Sequence, residues 1–136
     1  MHSSNSIIWL TSEQIKELIS IAKDALPNES CAILLGKNDT VIKILPMRNV
    51  DESPVRFTVD PAEVLYAYSL AESKLLQVVA IFHSHLTRPS PSNTDRKFME
   101  INPVVWLIYS TTEQRFKAYV YDGDVKEVVI KIAAKA

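Results

Sequence analysis

The sequence predicts an α+β (mixed α/β) fold, a layer of helices against a sheet, and three observations carry that prediction. Short apolar runs of strand length recur along the chain, separated by turn residues. Two longer segments carry helical spacing behind a cap residue. Strands and helices are mixed without strict βαβ alternation, which argues against a doubly wound parallel sheet.

The elements follow in order. Residues 7–10 form a short apolar strand. Thr11 then opens a helix, with Gln14 completing a capping box, and Ile15, Leu18, Ile19, Ala22 and Leu26 share one face. Pro27 ends it. The unbroken apolar run 31–35 reads as a buried strand, paired with 41–45 across the turn at Lys37, Asn38 and Asp39. Residues 47–54 are polar and loop-like, and 56–59 return as a short strand. Asp60 caps a second helix, with Pro61 at its first position, running to about Leu76.

Residues 78–82 are continuously apolar, so they read as a central strand covered on both faces. That strand delivers His83 and His85 at its C-terminal end. Residues 86–94 hold two prolines and five Ser, Thr or Asn residues, which predicts a stiff loop. A short helix starts near Asp95 and stops at Asn102 and Pro103. Three strands, 104–109, 116–121 and 125–132, complete the chain, the last two joined by the hairpin signal Asp122-Gly123.

Composition bounds the function. At 136 residues, 47% hydrophobic and 23% charged, the chain suits one ordered domain, 1–136, with a real core. A net charge of -1 gives no basic footprint for nucleic acid and no polybasic surface for membranes. Cys31 is the only cysteine, so no intrachain disulfide forms, and no secretory signal or membrane-length apolar run is visible. These features predict a cytoplasmic protein.

The chemistry concentrates in His83-Ser84-His85 and in Asp95, ten residues on. Histidines at i and i+2 of an extended segment project to one side of the backbone, so both imidazoles can grip one ion. A carboxylate returning from the loop supplies a third ligand and leaves a fourth position open, as in a catalytic zinc site. Ser92 and Asp95 also read as a helix cap, and a cap and a ligand can share one turn. His2, at the terminus, is expected to be solvated. Other metal patterns are missing: the chain has no Cys-x-x-Cys pair of nucleobase deaminases and no His-Glu-x-x-His helix. It is also too short for a barrel hydrolase, and no fourth ligand for a structural site is near. A hydrolase needs a general base besides its ligands. Glu29 stands at a strand entrance, where an acid is ordinarily plain surface, and spacing does not select it over Glu52 or Glu63.

The segments Glu29-Ser30-Cys31-Ala32-Ile33-Leu34-Leu35-Gly36, His83-Ser84-His85 and Ser92-Asn93-Thr94-Asp95 together resemble the JAMM (MPN+) metalloprotease signature, in its short prokaryotic or archaeal form. The stretch from Asn49 through Phe57 to Pro61 resembles that family's connection into its second helix. The resemblance implies a cytidine-deaminase-like domain, a central and mostly antiparallel sheet flanked by helices. It implies that His83, His85 and Asp95 hold Zn²⁺, that Glu29 is the general base, and that Ser92 hydrogen-bonds the developing oxyanion. Leu86 departs from the proline most members carry, and the loop from His85 to Asp95 is one residue shorter than usual. The implied activity is isopeptide hydrolysis between the C-terminus of a ubiquitin-like modifier and a lysine amine, by a monomer or homodimer. The alternatives are a peptidase that trims the C-terminus of a small sulfur-carrier protein and a scaffold domain without catalysis.

Overall fold

The first helix begins where Thr11 stops being a strand residue. In the computed structural model, which describes residues 6–55 and 57–134, β1 (Ile7–Thr11) runs directly into α1 (Ser12–Ala25). The Thr11 hydroxyl accepts the Gln14 N–H at 3.1 Å and Gln14 Oε1 accepts the Thr11 N–H at 2.9 Å, closing the capping box. Gln14 Nε2 also donates to the Val41 carbonyl, which ties the helix start to the sheet.

β2 (Cys31–Lys37) and β3 (Thr40–Met47) make a two-residue hairpin. Asn38 and Asp39 both adopt positive φ there, at 50° and 67°, the twist that such a turn demands. A loop leads to α2 (Pro61–Ser73), capped by the Asp60 side chain on the Ala62 N–H. Then come β4 (Gln77–His85), α3 (Asn93–Ile101), β5 (Val105–Ser110), β6 (Arg115–Tyr121) and β7 (Val125–Ala133). The sheet order is β1-β3-β2-β4-β5-β6-β7. The pairings of β2 with β3 and β4, and of β6 with β5 and β7, are antiparallel, whereas β4–β5, β1–β3 and β1–β7 are parallel.

β1 closes the sheet into a barrel. It pairs with β7 through five residues and touches β3 only at Trp9 opposite Thr40. This closure goes beyond the flanked sheet that the sequence predicts. The inner face carries the main core, including Ile8, Leu34, Phe82 and Leu107, to which α1 adds Leu18 and Ala22. On the outer face α2 lays Ala67 and Ala71 against Ile33 and Leu35 of β2. β2 is therefore buried from Cys31 to Gly36, which is why it reads as an unbroken apolar run.

Two expectations change. The second helix ends at Ser73, short of Leu76, because Leu75 turns left-handed with φ 57° and the Leu76 N–H returns to the Ala71 carbonyl. No glycine marks this end. Residues 57–59 of the expected strand 56–59 are not a strand, and Arg56 lies outside the described residues, as does His2. The Thr58 N–H goes to the Asn49 side chain and its carbonyl to the Val50 N–H, so this segment spends its polar groups inside a loop.

The two glycines separate two kinds of substitution cost. A Cβ on Gly36 would stand 1.8 Å from the Thr40 carbonyl oxygen, so the backbone must move. On Gly123, at φ 75°, it meets nothing within 4 Å. Gly36→Ala is expected to lower unfolding free energy by about 3 kcal/mol, and Gly123→Ala by about 1 kcal/mol, as read from urea midpoints.

Candidate metal centre

β4 ends with alternate residues on opposite faces. Ala80 and Phe82 enter the barrel core, while His83 and His85 share the other side. Asp95 arrives at the third position of α3. The Ser92 hydroxyl accepts the Asp95 N–H at 3.0 Å, and Asp95 Oδ2 accepts the Ser92 N–H at 2.9 Å. This reciprocal cap holds the carboxylate in one orientation. Oδ2 then lies 3.1 Å from His83 Nε2 and 3.1 Å from His85 Nε2, and the two nitrogens are 3.0 Å apart.

Three side-chain atoms that could each ligate an ion thus form a small buried triangle. His85 Nδ1 lies 3.1 Å from the Arg88 carbonyl, which only accepts, so Nδ1 carries a hydrogen, and in the neutral ring the lone pair is left on Nε2. Ligand atoms about 2.0–2.1 Å from a tetrahedral ion stand about 3.3–3.4 Å apart, close to the edges seen here. The set of two imidazoles and one carboxylate suits zinc, and three ligands leave a fourth tetrahedral position unfilled.

Glu29 faces this triangle. It is only 5% exposed, contrary to the ordinary fate of an acid at a strand entrance. Its Oε2 is 3.9 Å from His85 Nε2, and its Oε1 is buried without a hydrogen-bond partner. Glu29 with the two histidines also forms a group whose ligand atoms lie within 4.8 Å of one another. Asp95 is the nearer acid to both rings, and its orientation is already fixed by the cap. Among the other acids weighed from sequence, Glu63 accepts the Arg48 N–H outside the site and Glu52 sits exposed on the loop. Ser92 is exposed beside the triangle; its oxygen is occupied as an acceptor, but its proton is free to be donated outward.

The charges follow from burial and contact. Burial pushes the Glu29 carboxyl up to about 7, with His85 opposing and Asp95 reinforcing the rise. Burial pulls His83 below the usual imidazole range. For His85 burial acts downward too, but the Asp95 hydrogen bond and charge outweigh it and hold the ring above its usual value. Burial would raise Asp95, yet its hydrogen bonds to the two histidines hold it well below the carboxylate range.

Sequence reasoning missed the parts that hold this geometry. The Ser84 hydroxyl, on the inner face between the two histidines, lies 2.8 Å from the Ser30 hydroxyl and accepts the Ser30 N–H at 2.9 Å. A polar residue alternating with two candidate ligands is the signal that could have singled it out. The loop after His85 is pinned by the Ser110 hydroxyl on the Thr87 carbonyl, the Thr112 hydroxyl on the Leu86 carbonyl and the Tyr119 hydroxyl on the Pro89 carbonyl. Phe57 stacks on the His83 ring at 4.8 Å, and Trp106 meets it edge-on at 5.8 Å. These two rings also wall an apolar cavity of about 240 Å³, which none of Glu29, His83, His85, Ser92 or Asp95 lines.

Residues 11–121 match the family described as prokaryotic homologs of the JAB domain. The chain is 40% identical over 108 residues to desampylase from Pyrococcus furiosus, covering 79% of this chain and 76% of that protein. It is 26% identical over 133 residues to CysO-cysteine peptidase from Mycobacterium tuberculosis, covering 93% and 91%. Among solved structures, a protein from Desulfitobacterium hafniense superposes with a TM-score of 0.81 at 32% identity, covering 93% and 92%. A JAB1/MPN domain protein from Archaeoglobus fulgidus superposes at 0.59 and 22% identity, covering 94% and 98%, a likeness of fold.

Glu29 also makes stability depend on pH. Its folded-state pKa is raised from 4.5 to about 7, so its contribution is intact below 4.5 and is lost as pH rises through 7. In metal-free protein Glu29→Gln is therefore expected to stabilise the fold at pH 8 by up to about 3 kcal/mol. The gain should vanish by about pH 4. Urea unfolding of both proteins in chelator, at the two pH values, checks this.

Proposed function

The chain belongs to the family of prokaryotic homologs of the JAB domain, and on that footing we propose that it is a zinc-dependent isopeptidase that releases a ubiquitin-like modifier from a lysine amine. One observation carries the proposal. Three converging side-chain atoms, His83 Nε2, His85 Nε2 and Asp95 Oδ2, lie 3.0–3.1 Å apart, and a glutamate oxygen stands 3.9 Å from His85. Two imidazoles and a carboxylate converging this closely form a donor set that a divalent cation would join.

His83, His85 and Asp95 would hold the ion. Zinc bound there supplies Lewis acidity, which makes water a nucleophile at neutral pH and polarises a carbonyl. Glu29 takes the proton of the attacking water and returns it to the departing amine. Without metal, burial lifts this carboxyl to about 7; a bound cation would pull it back down and favour the carboxylate that takes the proton. The Ser92 hydroxyl donates to the oxyanion, a contact of a kind worth about 3 kcal/mol in the transition state. Asp95 stays ionised throughout, and the Arg88 carbonyl keeps His85 in the tautomer that presents Nε2.

The name desampylase favours deconjugation of a small modifier, and the name CysO-cysteine peptidase favours trimming of a sulfur-carrier tail. Both reactions break an amide at the end of a modifier protein and would use the same residues. The scaffold alternative is disfavoured because all the residues expected as ligands, His83, His85 and Asp95, stand in this chain. We take residues 1–136 as one domain acting in the cytoplasm; no helix among the described residues is long and apolar enough to cross a membrane.

Purified protein is expected to cleave a lysine-linked ubiquitin-like conjugate, to lose that activity in chelator and to regain it with zinc. Inertness toward the conjugate, with zinc-dependent cleavage of a sulfur-carrier tail, would move the assignment to the second reaction. Inertness toward both would refute the enzyme reading. Glu29→Gln should keep one zinc per chain and lower kcat by about 10²–10⁴-fold, whereas Asp95→Ala should lose both metal and activity. Metal analysis beside kinetics separates the two.

A further inference from the structure

The loop between β3 and α2 is polar in sequence, yet it buries one amide side chain. Asn49 is 8% exposed. Its Oδ1 accepts the N–H groups of Asp51 at 3.1 Å and Thr58 at 3.2 Å, and the Val50 N–H reaches the Thr58 carbonyl at 2.9 Å. The loop thus closes around this side chain. Its Nδ2 donates at 3.0 Å to the carbonyl of Glu29 and at 3.4 Å to that of Ser53. The Ser53 carbonyl in turn accepts the Glu29 N–H at 2.8 Å.

Both main-chain polar groups of Glu29 are therefore held by this loop. Two such ties, from opposite sides of one residue, fix where its Cα lies and which way its side chain leaves the backbone. The carboxylate needs that support, because its Oε1 has no hydrogen-bond partner and its Oε2 lies 3.9 Å from His85. The same loop lays Phe57 on His83, so it touches the site from two sides.

We propose that Asn49 is a positioning residue for Glu29: through the Glu29 carbonyl it sets the carboxylate against the histidine pair. This rests on Glu29 being the proton-transfer group. A misplacement of about 1 Å in such a group costs on the order of 10²-fold in rate, so the tie acts on turnover rather than on substrate affinity.

Asn49→Ser tests it in the zinc-loaded full chain. A serine hydroxyl can still accept the Asp51 N–H in a local turn but is too short to reach the Glu29 carbonyl. With a lysine-linked ubiquitin-like conjugate as substrate, kcat is expected to fall about 10²-fold, with KM changed less than about twofold and zinc content kept. Independently of activity, the Glu29 amide should exchange with deuterated water at least about tenfold faster, while the Leu34 amide is unchanged. In a Glu29→Gln background the same substitution should alter residual kcat by less than about twofold, because the group it positions is gone.

Equal loss in both backgrounds, or full kcat in the single variant, would overturn the proposal and leave Asn49 a loop residue. Full kcat in Glu29→Gln alone would instead overturn the base assignment. The exchange rate would then decide the present proposal, with unchanged Glu29 protection refuting it. Should Asn49→Ser fail to fold, Asn49→Asp keeps an acceptor for Asp51 and Thr58 while setting a carboxylate oxygen in place of the donor to the Glu29 carbonyl, and is judged by the same readouts, the Glu29→Gln background separating the effect of its charge on Glu29 from loop damage.

Discussion

In the antiparallel pairing of β2 with β4, Cys31 lies opposite His83, and the count continued by two residues sets Ser30 opposite Ser84 and Glu29 opposite His85. The Ser30 and Ser84 hydroxyls meet on the inner face, and the Ser84 N–H bonds the Ser30 carbonyl at 3.1 Å, so the ladder persists past the formal start of β2. Everything at the site depends on this register. A slip of one residue would turn Glu29 toward the barrel core and bring Ser30 to face the histidines. The parallel pairing of β4 with β5 fixes the other edge, with His83 opposite Ile108 and His85 opposite Ser110, whose hydroxyl pins the loop leading to Asp95.

The site is an electrostatic problem solved in two ways. Asp95 is stabilised as an anion by two imidazoles and a backbone N–H, so its charge is useful where it is. Glu29 has no such partner on Oε1, and burial drives it toward its neutral form. Two carboxyls a few ångströms apart thus differ in proton affinity because one is hydrogen-bonded and the other only desolvated. That divergence supports the roles proposed for them, Asp95 as a ligand and Glu29 as the group that moves a proton.

Much of this was legible in the chain because its causes are local. His83 and His85 stand two apart at the end of an apolar run, and the Ser92–Asp95 cap is a four-residue pattern that the structure reproduces. Other features depend on contacts between distant residues. Glu29 reaches the histidines through a ladder between residues 54 apart, as the Ser30–Ser84 bond measures. The parallel pairing of Ile7 with Val129 that closes the barrel leaves no periodic trace in either strand. Asn49 looks like any polar loop residue until its partners are known. The end of α2 went unread because Leu75 takes the left-handed turn where a glycine would have announced it.

Two histidines and Asp95, with Glu29 standing off, form the proposed zinc site. A crystal structure of zinc-loaded protein, with data collected on both sides of the zinc absorption edge, tests it most directly. One anomalous peak is expected about 2.0–2.1 Å from His83 Nε2, His85 Nε2 and Asp95 Oδ2, with the Glu29 carboxylate outside bonding distance. A peak bonded to Glu29 in place of Asp95, or no peak between the histidines, would contradict it.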